Sequence, residues 1–149
     1  MAFAERFEDL KVWQEARELA NAVYDAMVKC RDFDFRSQIQ RAAVSAMNNS
    51  AEGFERRTRK DFAHFLDLSK GSAGEVRSML YLAENRKYVS SAVADKLRAR
   101  YEQLSASIGA LASRLRTRDS RDKLGVFNFN FRIMDFGWKK TLFPEPNFE

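Results

Sequence analysis

At 149 residues, with 45% hydrophobic and 32% charged, the chain has the size and balance of one globular domain with a real core. One cysteine, Cys30, excludes an internal disulfide, and one histidine, His64, cannot build a metal site with it alone. The net charge of +5 and a pI near 9.5 suit an anionic partner without requiring one. The opening residues carry charges where a secretory signal would be apolar, and no apolar run approaches the ~20 residues that span a bilayer. A cytoplasmic chain with no membrane contact is therefore expected. The formal glycosylation acceptor Asn48-Asn49-Ser50 would go unused there. Both prolines fall after Phe143, which favours long helices over a turn-rich β fold.

Periodicity predicts four helices. The first runs from about Phe7 to Arg31, with Leu10, Trp13, Ala16, Ala20, Tyr24 and Met27 at steps of three and four. Asp32-Phe33-Asp34-Phe35 breaks that pattern and reads as a linker. The second runs from about Ser37 to Phe54 and presents a narrow face of Ile39, Ala42, Ala43, Ala46, Met47 and Ser50, which lets neighbouring axes approach closely. Gly53 reads as its terminator. The third opens at Thr58, with Asp61 in the position of a capping box, and ends near Lys87. Its apolar line takes in Phe62, Phe65, Leu66, Ser69, Ser72, Val76, Met79, Leu80 and Ala83. Gly71 and Gly74 lie inside it at about 1 kcal/mol each, so close packing against a neighbour is the expected reason for them. The fourth follows Ser90 or Ser91, either of which can cap it. Val93, Leu97, Tyr101, Leu104, Ile108, Leu111 and Leu115 form the most regular stripe in the chain.

These elements predict an all-α fold, an antiparallel up-down four-helix bundle over residues 1–118. Residues 119–149 form a separate tail. There Phe127, Phe129, Phe131 and Ile133 alternate with Asn128, Asn130 and Arg132, the period of an extended strand. So many aromatics call for a docking place on the bundle, a neighbouring subunit or a partner.

The start Phe7-Glu8-Asp9-Leu10-Lys11-Val12-Trp13-Gln14-Glu15-Ala16 resembles the opening of the 23S ribosomal RNA intervening-sequence proteins. Ser37-Gln38-Ile39-Gln40-Arg41-Ala42-Ala43-Val44-Ser45 resembles that family's second helix, and Ala51-Glu52-Gly53 its turn. Phe65-Leu66 with Gly71-Ser72 and Glu75 resembles its third helix. The resemblance covers roughly Phe7 to Arg118. It implies a four-helix subunit of a homopentameric ring with no enzyme activity. The accessory subunit of diversity-generating retroelements, a basic protein that works with a reverse transcriptase and nucleic acid, is similar in fold. The chain departs from the pattern at Met47, where the family has proline, and at Ser50, where it has an apolar residue. A straighter second helix with a more polar contact surface is the consequence.

The candidate binding residues are basic. Arg56, Arg57, Arg59 and Lys60 stand at the start of the third helix, where free N–H groups and the helix dipole favour phosphate. Arg114, Arg116 and Arg118, followed by Arg121 and Lys123, end the fourth helix at the same end of an antiparallel bundle. The leading reading is a non-catalytic homo-oligomer that meets RNA or DNA through this rim. A solvated helix end, part-neutralised by Asp61, Asp119 and Asp122, explains the same charges without a ligand. The other functional reading is an adaptor that recruits a protein partner and touches no nucleic acid. Phe127, Phe129 and Phe131 could stack on bases, but docking on protein suits them better.

No cofactor or metal is expected. Gly71-Ser72-Ala73-Gly74 matches the G-x-x-G of a KH loop but lacks the flanking strands. Asp61 and His64 supply only a fragment of a di-iron motif. Cys30, between Lys29 and Arg31, has no base or resolving thiol in view. Trp13 and Tyr24 fall on the apolar stripe and read as core or interface residues rather than stacking platforms.

Overall fold

The computed structural model describes residues 4–122, with the side chains of the last helix described as far as Thr117. A 3-10 turn, Phe7–Asp9, leads into α1 (Lys11–Ala26), α2 (Phe33–Phe54), α3 (Arg59–Asn85) and α4 (Ser91–Asp122). Each helix packs on its two neighbours around the bundle, α3 most extensively against α4 and α2. Ion pairs mark the antiparallel register of α3 and α4: Asp67 with Arg116, Arg77 with Glu102, and Glu84 with Arg98. Arg100 ties α4 to α1 through Glu15 at 2.6 Å and Glu18 at 3.1 Å. No strand occurs among the described residues.

The core follows the stripes, with a rotation in α1. Its buried face is Val12, Ala16, Leu19, Ala20 and Val23, so Leu19 and Val23 point inward and Tyr24 is 48% exposed. In α4 the line from Leu97 to Leu115 is buried as expected, but it begins at Ala94 while Val93 faces out. The narrow face of α2 is buried too. Ser50 and Ser69 are fully enclosed and hydrogen-bonded to each other at 3.0 Å, and Ser69 donates to the carbonyl of Ala46 at 2.6 Å. The polar contact implied by Ser50 is thus a satisfied buried pair.

Several boundaries move, each for a local reason. The Asp32–Phe35 stretch is a helix start: the Asp32 side chain accepts from the Phe35 N–H at 3.1 Å, and Phe35 turns into the core. Asp32 also accepts from the Tyr88 hydroxyl at 2.8 Å, while the Phe35 and Tyr88 rings meet at 5.2 Å. One carboxylate thereby fastens the α1–α2 connection to the α3–α4 connection. The Phe35 amide, then the Tyr88 hydroxyl, hold its pKa below the ordinary value. At the end of α3 the Tyr88 N–H reaches the Ala83 carbonyl at 2.8 Å and the Lys87 N–H reaches Glu84 at 2.9 Å. This is a Schellman ending, with Lys87 at φ 61 in the place where glycine is favoured. Thr58 caps α3 through the Asp61 N–H at 3.0 Å, and Ser90 caps α4 through Val93 at 3.2 Å.

The glycines divide. Gly53 does not end α2, whose cap is Glu55 in a right-handed helical conformation. Gly53 instead lets α3 approach, since a Cβ there would stand 2.7 Å from the Phe65 Cβ and 3.2 Å from the Phe62 carbonyl. Gly71 and Gly74 have nothing within 4 Å of such a Cβ, so nothing in the described chain packs closely on them. α4 continues to Asp122, past the boundary expected at residue 118. The aromatic tail and its alternating Phe127, Phe129 and Phe131 lie outside the described residues.

Candidate nucleic-acid interface

The turn between α2 and α3 gathers the first basic group. Arg56 is held from two sides: its guanidinium meets the Glu52 carboxylate at 2.7 Å and lies over the Phe65 ring, 4.5 Å from the centroid. Arg57 and Lys60 are exposed and make no ion pair or hydrogen bond among the described residues. Arg59 is half-buried and engaged within the fold. The helix start itself is already furnished. Thr58 takes the Asp61 N–H, and the Asp61 carboxylate accepts from the Thr58 hydroxyl at 2.8 Å. An anion here would meet the Arg57 and Lys60 side chains more readily than backbone N–H groups.

The second basic group sits further along the bundle. Arg116 pairs with Asp67 across the α3–α4 seam, seven residues into α3 from Lys60. At 1.5 Å per residue that is about 10 Å of axial separation. Arg114 is exposed and also engaged. The Arg118 side chain lies outside the described residues. Among the basic residues whose side chains are described, Arg57 and Lys60 carry no ion pair or side-chain hydrogen bond, and Arg56 is held from two sides.

The other singled-out residues have ordinary surroundings. His64 is exposed beside the Phe65 ring. Cys30 is buried, and its thiol donates to the Asp32 carbonyl at 3.6 Å. Trp13 packs edge-on to Phe7 with ring centroids 5.1 Å apart, under the Arg17 guanidinium. Among the described residues no group of three or more His, Cys, Asp or Glu side chains could hold a metal ion. No helix among them is long and apolar enough to cross a membrane.

Periodicity alone missed one feature. A groove of about 370 Å³ runs along the outer face of α2, lined by Tyr24, Arg41, Val44, Ser45, Asn48, Asn49 and Glu52. Because α2 residues 41, 45, 48 and 52 recur at helical steps, they form one strip, exposed at Arg41, Asn48 and Glu52, with Ser45 half-buried and hydrogen-bonded to Ser72 of α3 at 2.9 Å. Glu52 links that strip to Arg56 of the basic turn.

A solved structure from Bacteroides thetaiotaomicron, a protein of unknown function from the S23 ribosomal protein family, has a similar fold. It aligns with a TM-score of 0.64 and 20% identity, covering 68% of this chain and 97% of that one. No curated protein matches the chain. The family model for the 23S rRNA-intervening sequence protein matches residues 8–110, which span all of α1, α2 and α3 and most of α4. The chain belongs to the 23S rRNA-intervening sequence protein family.

Proposed function

We propose that this protein is a non-catalytic, homo-oligomeric binding protein, a ring of five as the family resemblance implies, that contacts nucleic acid through the basic turn between α2 and α3. The observation that carries this reading is the state of Arg56, Arg57 and Lys60. Two exposed cations without partners among the described residues flank a guanidinium clamped by Glu52 and Phe65. A pre-oriented guanidinium beside free cations suits a phosphate backbone. Arg59 adds charge from the first turn of α3. Arg114 and Arg116 extend the basic surface along α4, and a ring would repeat it around the assembly.

Self-association draws support from α3. Leu68, Gly71, Glu75, Ser78 and Leu82 are spaced three and four apart and are all exposed, and no described residue fills the space where a Gly71 side chain would stand. Glycine inside a 27-residue helix costs stability in a lone subunit. The close approach of another copy gives it a use.

Fluorescence anisotropy with single-stranded and duplex RNA and DNA, read across a salt series, tests the reading. Wild type should show a steep log–log slope, about −0.7 to −0.9 per phosphate contact. Replacing Arg56, Arg57, Arg59 and Lys60 together with alanine should flatten that slope without changing the oligomeric state. The adaptor reading has its own supporting observation at the opposite end of the bundle. There Val28, Phe33, Tyr81, Leu82 and Val93 are exposed around the two connections, an apolar surface suited to a protein partner. No nucleic-acid binding even at low salt would favour that second reading.

A further inference from the structure

Resting on the nucleic-acid reading above, we infer that the groove between Tyr24 and the outer face of α2 is a subsite for the unpaired bases of a single strand. The basic turn would hold phosphates, and this groove would take what the phosphates carry. Three lining groups are unoccupied among the described residues: the Tyr24 hydroxyl and ring, the Arg41 guanidinium and the Asn48 amide make no hydrogen bond, ion pair or ring contact. Tyr24 is 48% exposed, a planar surface on which a base can stack. Asn49 is oriented: its amide nitrogen donates to the Ser45 carbonyl at 2.8 Å and to the Ser45 hydroxyl at 3.0 Å. Its side-chain oxygen is left as an acceptor. Val44 adds an apolar patch.

A base needs these things together, a flat face to stack on and both donors and acceptors for its edge. The spacing also fits. Arg41 and Glu52 stand eleven residues apart on α2, about 16 Å along the helix. The Glu52 end meets Arg56, so a strand anchored at the turn can lay its next bases along the strip toward Tyr24. A second copy of the chain suits this groove less well, since it would take Glu52 and the amides of Asn48 and Asn49 out of water, at a cost unless each found a partner.

The test uses the full chain and fluorescein-labelled oligo(U), oligo(dT) and a duplex of equal length, with oligomeric state followed by sedimentation. Tyr24→Ala should weaken single-strand binding about tenfold or more, the loss of one stacking contact. It should leave duplex binding and the salt slope unchanged, and Tyr24→Phe should restore affinity. A loss confined to oligo(U) or shared with oligo(dT) supports the subsite and says which sugar it accepts. If Tyr24→Ala binds single strands like wild type while Arg57→Ala/Lys60→Ala weakens them, the base subsite is refuted and the phosphate surface stands. If Tyr24→Ala dissociates the oligomer, the groove is an interface between copies and the inference is overturned. If wild type binds the duplex but no single strand at low salt, the subsite falls and the function it rests on stands; if it binds neither, both fall.

Discussion

The same substitution should have opposite consequences at two glycines. At Gly53 a methyl group would stand 2.7 Å from the Phe65 Cβ, 2.9 Å from the Phe62 ring and 3.2 Å from the Phe62 carbonyl. Two of these obstacles are fixed to the α3 backbone, so the helices must separate or twist. Overpacking of this kind costs about 1–3 kcal/mol. Against it stands a gain of about 0.5–1 kcal/mol from replacing glycine by alanine within a helix. Gly53→Ala should therefore lose about 1–2 kcal/mol, or about 2–8 °C in Tm for a chain of this length. At Gly71 nothing among the described residues lies within 4 Å of the added carbon. Only the helix gain remains there, about 0.5–1 kcal/mol in the subunit. Thermal and denaturant unfolding, paired with sedimentation, would measure both. If the outer face of α3 joins copies, Gly71→Ala should stabilise the subunit yet loosen the assembly. A Gly53→Ala protein as stable as wild type would refute the account of how α2 and α3 pack. A Gly71→Ala protein with undiminished assembly would remove that face from the interface.

Lys87 occupies a left-handed backbone position at φ 61, so Lys87→Gly should gain about 1 kcal/mol in denaturant unfolding; a loss would mean its side chain matters more than its backbone. The Asp32 carboxyl has its pKa lowered by the Phe35 amide and the Tyr88 hydroxyl. The stability it contributes is present above the unfolded carboxyl value and is lost as pH falls through the folded one. Asp32→Asn keeps a capping side chain, so it should lose less Tm than wild type between pH 7 and strongly acidic pH; an identical acid loss would sink this assignment. The buried Tyr101 hydroxyl has no hydrogen-bond partner among the described residues, and burial raises its pKa above the usual phenol value. Stability coupled to it is intact below the unfolded phenol value and falls as pH climbs beyond it. Tyr101→Phe should unfold no more easily than wild type at neutral pH and should resist alkaline unfolding better.

The sequence carried most of the bundle because its stripes are long. The α4 line from Leu97 to Leu115 and the Thr58 cap needed only periodicity and one hydroxyl, and both stand in the structure. The α1 face was misread by part of a turn. Trp13 does pack, partly buried, against the core, but Tyr24 looks as apolar as Leu19 and Val23, and only tertiary packing decides that the branched aliphatics go inside. The start of α2 was hidden for a related reason. Asp32 and Asp34 beside two phenylalanines read as a break, yet one aspartate is the cap and Phe35 is the anchor. The basic turn was legible as composition, whereas its inner economy was not. Nothing in Arg56-Arg57-Thr58-Arg59-Lys60 says that Glu52 and Phe65 hold the first arginine while the second stays open. The groove at Tyr24 depends on α1 crossing one particular strip of α2, a juxtaposition no local pattern encodes.

The central claim, that the basic turn meets phosphate, is tested most directly by the salt dependence of single-strand binding for wild type and an Arg57→Ala/Lys60→Ala variant of equal oligomeric state. If these two cations neutralise phosphates, removing them should make the log–log slope shallower by about 1.4 per subunit engaged. Equal slopes in the two proteins, or no binding by wild type at low salt, would contradict the claim and leave the charge as a solvated helix end.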